Sequence, residues 1–254
     1  MTQPLPLLFG FVEEQHEFAK TFTKFIEKQN KLYQVCKLAS TNIEIKPESA
    51  VQDHIIFTLG QMIMEDLEEV IVLCSNGLAT GGMKILRGMF ERTVHLAYLS
   101  KHAEEAKQFL NFHWIDKKKA FDRMNREYPG KVSAQNAEKV LSQFENVKND
   151  FLVVSCDVCP DLNCQQCRKK RINWKWSKKD IVSMAKEVGT PFEMVEFGYY
   201  KALEETHPKI GAIFRRIEIS ADEQFRFAGR EQTGDMKTVL GMAHYMLLAT
   251  LNVI

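Results

Sequence analysis

What this sequence lacks narrows its function first. Its net charge is only +1, from 34 basic and 33 acidic residues. No global field draws it to nucleic acid or a membrane surface, so any electrostatic signal has to be local. The opening stretch, MTQPLPLLFGFVEEQ, has no basic n-region and too short an apolar run for a secretory leader. This predicts a cytoplasmic protein whose six cysteines sit in a reducing compartment, outside a disulfide framework. The most apolar segment, Thr238 to Ile254, is 17 residues long and includes His244, which predicts a buried terminal helix and no membrane span. There is no Gly-rich phosphate loop, no H-E-x-x-H and no G-x-S-x-G elbow, so hydride transfer and P-loop chemistry find no support.

Period-two alternation is also almost absent, and helical spacing takes its place. Phe11, Phe18, Phe22, Phe25, Leu32 and Cys36 predict a helix from Phe11 to about Ala39. Ser49 with Gln52 has the pattern of a capping box and opens a second helix through Leu73, ended at Asn76-Gly77. A third helix follows Gly81-Gly82, a fourth spans about 103–127, and a fifth runs from Ser133 to roughly Val153. Ser177 and Asp180 open a short helix ended by Gly189, and Thr190-Pro191-Phe192-Glu193 opens another that reaches about Glu205. The last helix starts near Thr233. Only 209–232 is ambiguous: Ile217-Glu218-Ile219 and Phe225-Arg226-Phe227 suit a short hairpin or another helix. The expected fold is therefore all-α, an antiparallel helical bundle of about seven to eight helices. It forms a single domain, 1–254, with a small inserted cysteine-rich zinc knuckle and basic stretch at 155–176.

The third helix is the organising element. Wound at about 100° per residue, GGMKILRGMFERTVHLAYLS is apolar almost all the way round. One narrow wedge holds Lys84, Arg87, Glu91, His95 and Tyr98. This predicts a central helix, buried on most sides, with one polar seam in which Arg87 and Glu91 are one turn apart. The seam is either the wet edge of that helix or a polar site within a helical core, where buried charge has to be paired.

Four cysteines fall in twelve residues as C-x2-C-x4-C-x2-C: Cys156, Cys159, Cys164 and Cys167. Two such pairs supply the four thiolates of a structural zinc site, with no open position for catalysis. Reduced unliganded thiols and an iron–sulfur cluster are the alternatives. Cys36 and Cys74 sit on helix faces as core residues. After the cluster, Arg168, Lys169, Lys170, Arg171, Lys175, Lys178 and Lys179 are interleaved with Trp174 and Trp176. Cations that hold phosphates beside indoles that stack bases are the signature of a contact with RNA or single-stranded DNA. The alternative is a solvated charge run with its tryptophans turned into the core.

Three pieces taken together carry a resemblance: Ile85-Leu86-Arg87-Gly88-Met89-Phe90-Glu91, then Trp176 with Met184-Ala185 and Gly189, then Tyr199-Tyr200 through His207-Pro208. In this order they resemble an uncharacterised bacterial all-helical family catalogued as a domain of unknown function, over roughly residues 50–215. The resemblance implies an accessory protein of bacterial defence loci and, by analogy, HEPN-type ribonucleases, which use an Arg and a His without metal. That signature places four to six residues between Arg and His, whereas Arg87 and His95 have seven between them. An active site here would be composite. His207 or His95 would serve as general base, Arg87 would stabilise the phosphorane, Glu91 would orient Arg87, and Tyr199 or Tyr200 would donate a hydrogen bond. The rival functions are a non-catalytic helical module that docks a protein partner, or forms an oligomer, and a small-molecule sensor.

Overall fold

A computed structural model describes residues 12–42, 50–154, 170–207, 217–219, 225–227 and 233–254. The chain is predominantly helical and folds as two compact units. One is built from the helices before Lys101 and from Ile181 onward, the other from His102–Asp180.

In the larger unit, α1 (Val12–Asn42), α2 (Val51–Ser75) and α3 (Ala79–Lys101) follow one another. The turn between α2 and α3 closes at Gly77, whose φ of 71° is the left-handed conformation that Asn76-Gly77 predicts. A three-residue connection makes α2 and α3 an antiparallel pair, and α3 lies at the centre as expected. Leu86, Met89, Phe90, Val94, Leu96 and Leu99 are all buried. The C-terminal helix, α9 (Thr233–Leu251), packs on both α2 and α3 through Val239, Leu240, Ala243, Met246 and Leu247. No described helix is long and apolar enough to cross a membrane.

Between α3 and α9 the chain contributes α6 (Ile181–Val188) and a rod of three segments. These are α7 (Phe192–Val195), a π-helical turn (Glu196–Lys201) and α8 (Ala202–Thr206). Gly189, at φ 80°, ends α6 as predicted. Two strands, β3 (Ile217–Ile219) and β4 (Phe225–Phe227), pair antiparallel with Glu218 opposite Arg226, so the ambiguous segment contains a hairpin.

The smaller unit holds α4 (Ala103–Glu127) and α5 (Ala134–Val147), the latter capped by Ser133, whose Oγ accepts the Asn136 N–H at 3.3 Å. Its core is Ile115, Phe144, Val147 and Phe151, with Phe112, Trp114 and Ile172 against it. Here the expected fifth helix stops short. After a 3-10 turn (Lys148–Phe151), the residues Leu152–Val154 form β1 and pair antiparallel with β2 (Lys170–Ile172). The β-branched pair Val153-Val154 favours that ladder over further helix.

Two caps also differ from expectation. Gln52 does not fold back on its own helix: its Nε2 donates to the carbonyls of Leu99 at 2.7 Å and Ser100 at 3.1 Å, closing the C-terminal turn of α3. Ala50 is the N-cap of α2, without a side-chain cap. Pro191, one residue later than Thr190, takes the N-cap position of α7.

Candidate functional site

The seam on α3 forms only in part. Arg87 Nε donates to Glu91 Oε1 at 3.1 Å, the one-turn pairing expected from the spacing. The guanidinium carbon of Arg87 lies 5.2 Å from the ring centre of Tyr199, within cation–π range. Tyr199 also packs on Phe90, ring centres 5.9 Å apart, and meets Tyr200 edge-on at 5.3 Å. Arg87 Nη1 is buried and has no hydrogen-bond partner among the described residues. Lys84 is exposed. Tyr98, expected in the polar wedge, is wholly buried and belongs to the core.

The π turn is what brings Tyr199 here. Its wider winding bonds residues five apart and recurs at functional positions. Glu196 and Lys201, at its two ends, pair through their side chains, Nζ to Oε1 at 3.4 Å. Gly198 sits at the inner face. A Cβ built there would collide with the end of Met246 and lie 3.1 Å from the Phe90 ring, so any larger residue requires Met246 and Phe90 to give way where the turn meets α3 and α9.

Of the two candidate bases, His95 lies mostly buried one turn beyond Glu91. Burial pushes its imidazole from 6.5 down to about 4, which keeps it neutral at pH 7. His207 is exposed just past the end of α8, eight residues beyond Tyr199. The structure thus gathers Arg87, Glu91 and Tyr199, with exposed Tyr200 beside them. It shows no hydrogen bond or ion pair from His207 to Arg87 or Glu91 among the described residues.

A second ion pair on α3 was not anticipated. Arg92 Nη1 donates to Asp66 of α2, and a Cβ at Gly88 would stand 3.0 Å from that same Nη1. Burial raises the Asp66 pKa, an effect Arg92 counters. The signal was present in the sequence: Asp66 falls on the buried stripe of α2 with Leu59, Ile63, Leu67, Val70 and Cys74.

In the smaller unit, Asn173 anchors the tryptophan stretch. Its N–H donates to the Phe151 carbonyl at 2.7 Å, and its Oδ1 accepts the Lys175 N–H at 3.2 Å. Ser177 then accepts the Lys179 N–H at 3.2 Å. These side-chain-to-backbone turns hold an irregular segment in place. The two tryptophans part company. Trp176 meets Phe109 edge-on with ring centres 5.0 Å apart and anchors the segment to α4. Trp174 is 42% exposed, and Lys119 Nζ from α4 stands 5.9 Å from its ring centre. Lys175 and Lys178 are exposed nearby in sequence.

Cys156, Cys159, Cys164, Cys167, Arg168 and Lys169 lie outside the described residues. Lys170 and Arg171 are placed in β2 by their backbone alone. Val154 and Lys170, the described residues on either side of that segment in sequence, pair across the β1–β2 ladder. Cys36 and Cys74 are buried, and burial pushes the Cys74 thiol up to about 12, as for an inert core thiol. At the start of α4, His102, Glu104 and Glu105 each place a ligand atom within 4.8 Å of the others.

The model of DUF5677, a family of unknown function, matches residues 53–225, about two thirds of the chain. No curated protein and no solved structure matches the chain.

Proposed function

The chain belongs to this family of unknown function, and from the geometry of its smaller unit we propose that it binds single-stranded nucleic acid, RNA or DNA. One observation carries the proposal: an exposed Trp174 with a lysine ammonium beside its ring and further lysines on the adjoining backbone. A base stacked on such an indole gains about 1–3 kcal/mol, and the cations take the flanking phosphates. Trp176, turned onto Phe109, serves the anchoring role instead.

The four cysteines fit a structural zinc in the same unit. Val154 and Lys170 are paired across the ladder. In sequence, Cys156 lies two residues after the first and Cys167 three before the second. A closed four-cysteine site would brace the basic stretch and leave no position for substrate. The family resemblance in the three motifs supports a role among bacterial defence proteins.

The test is fluorescence anisotropy of a labelled oligo-U or oligo-dT strand titrated with the full chain across a range of salt. Trp174→Ala should weaken binding about 5–150-fold, the value of one stacked base. Lys169→Ala, Lys170→Ala and Arg171→Ala together should flatten the salt slope by about two, at about 0.7 per phosphate contact. An unchanged slope would assign the basic run to a solvated face and leave a protein partner as the occupant.

A catalytic reading has one observation in its favour, the Arg87 guanidinium held by Glu91 and Tyr199 with Nη1 left unpartnered. There Arg87 would stabilise charge on a phosphorane, and His95, a weak base because burial lowers its pKa, or His207 would accept the 2′-hydroxyl proton. His207, exposed at the helix end, would have to approach from there. Cleavage of labelled RNA that is lost in Arg87→Gln and in either His95→Gln or His207→Ala, with folding retained, would establish it. Substitutions that only lower stability would make the seam a fixed structural register.

A further inference from the structure

One line along α4 changes character partway. Measured from Lys119 on the helical wheel, Phe112 and Arg126 lie within about 20° and Ile115 and Arg123 within about 40°. The earlier part of that line is covered: Ile115 is wholly buried, and Phe112 packs with it on the core of Phe144, Val147 and Phe151. From Lys119 onward the line is cationic, and Lys119, Arg123 and Arg126 are all exposed. The change falls where Lys119 stands beside the exposed indole of Trp174. From there to Arg126 the helix rises about 10 Å, at about 1.5 Å per residue.

The acids nearby do not cancel these charges. Asp116 to Glu127 holds five cations and three acids. Asp122 is taken by Lys118, whose Nζ lies 2.7 and 2.6 Å from its two carboxylate oxygens. Lys118 itself stands about 100° off the line. Glu127 accepts from Arg123 Nε at 3.1 Å, but the two side chains are 44% and 73% exposed, so the pair is weak and a phosphate can replace the carboxylate. Lys119 and Arg126 have no acid partner among the described residues. Asp116, exposed and about 60° off the line, pairs with neither. A row of cations that starts at an exposed indole matches a polyanion whose charges repeat along one axis and whose bases have faces to stack.

We infer that α4 is the backbone track of the binding site, an inference that rests on the reading of this unit as a single-strand binder. With one base stacked on Trp174, the phosphates that follow are held by Lys119, Arg123 and Arg126.

Fluorescence anisotropy of labelled oligo-dT with the full chain, repeated across a range of salt, tests this. Arg123→Gln with Arg126→Gln should flatten the salt slope by about 1.4, two contacts at about 0.7 each. Lys107→Gln with Lys117→Gln removes the same charge from exposed positions of the same helix, about 120° and 160° off the line, and should keep the wild-type slope. Should the arginine pair fail to fold by circular dichroism, Arg126→Gln alone should flatten the slope by about 0.7. Polyglutamate at matched charge should displace the strand poorly, because it brings no base to Trp174. Wild type that binds no strand overturns both the single-strand reading and this inference. The inference alone is overturned if wild type binds and Trp174→Ala weakens it while the arginine variant keeps the wild-type slope, or if the arginine and lysine variants flatten it equally. Displacement by polyglutamate as complete as by unlabelled oligo-dT would make the line a general polyanion surface and overturn it too.

Discussion

Replacing Asp66 by alanine should cost far more stability than replacing Glu91, although both remove the acid partner of an arginine on α3. The difference lies in water. The Asp66 side chain is 10% exposed and its partner Arg92 30%, whereas Arg87 and Glu91 are 23% and 37% exposed. Breaking a buried pair by removing one member costs up to about 3–5 kcal/mol, because the other charge is stranded. Arg92 keeps part of its surface in solvent, and the native carboxylate already bears a desolvation penalty that raises its pKa. Asp66→Ala should therefore cost about 2–3 kcal/mol, the range of a charge-assisted hydrogen bond. Glu91→Ala also strands an arginine, but Arg87 keeps its cation–π contact with Tyr199 and the acid it loses is the more solvated of the two, so the substitution should cost about 0.5 kcal/mol.

Urea unfolding followed by far-UV circular dichroism measures both. All three tryptophans, Trp114, Trp174 and Trp176, belong to His102–Asp180, so their fluorescence reports the other unit. The far-UV signal carries the helices of the larger unit, and a midpoint shift at constant slope gives the change in stability. A double variant with Arg92→Met should recover part of the Asp66→Ala loss, since no stranded guanidinium remains. Equal costs at the two positions, or a larger one at Glu91, would refute the ordering drawn from their exposure.

The purified chain should carry about one zinc, the stoichiometry of four thiolates, and Cys159→Ser with Cys164→Ser should release it while the helical signal persists; metal-free protein prepared without chelators would remove the zinc site. Gly198→Ala should destabilise by about 1–3 kcal/mol, as for other overpacked positions, because its Cβ meets Phe90 and Met246; calorimetric melting reads the loss, and an unchanged melt would show that the π turn is not pressed against α3. Stability of the larger unit should fall as pH drops from about 6.5 to about 4, because unfolded His95 takes a proton there and buried native His95 does not. A shift from 6.5 to about 4 sets an upper bound of about 3 kcal/mol. Burial lowers the pKa of His244 as well, while that of Asp66 is raised and acts with the opposite sign, so the diagnostic quantity is the part of the pH slope abolished by His95→Gln.

Where the sequence was legible, the deciding forces were local. The three- and four-residue spacing marked α1 to α3, Gly77 and Gly189 ended helices through positive φ, and Ser133 capped α5. Where it was not, a distant partner decided. Gln52 has a capping-box pattern with Ser49, yet α3 offers it two unpaired carbonyls and takes it. Leu152–Val154 continue a helical run until β2, on the far side of the cysteine segment, supplies a ladder. Nothing in EFGYYK announces a π turn; the close approach that Gly198 permits belongs to packing with Phe90 and Met246. Lys119 reaches Trp174 from a helix more than fifty residues earlier, so the contact on which the proposed nucleic-acid face rests has no local signature.

The polar seam shows why periodicity could find a site and still misjudge its members. Arg87 and Tyr98 lie within about 20° of each other on the helical wheel, yet one is partly solvated and the other wholly buried. An angle reports direction, whereas burial depends on which neighbour covers each turn. Arg92 stands about 140° from Arg87 on the same wheel, on the otherwise apolar side of the helix. It is tolerated there because Gly88 leaves room beneath its guanidinium and Asp66 meets it from α2. An arginine on the apolar side of a central helix therefore calls for a carboxylate on the apolar stripe of its neighbour. Asp66, alone among the acids of α2 in being buried, satisfies that condition.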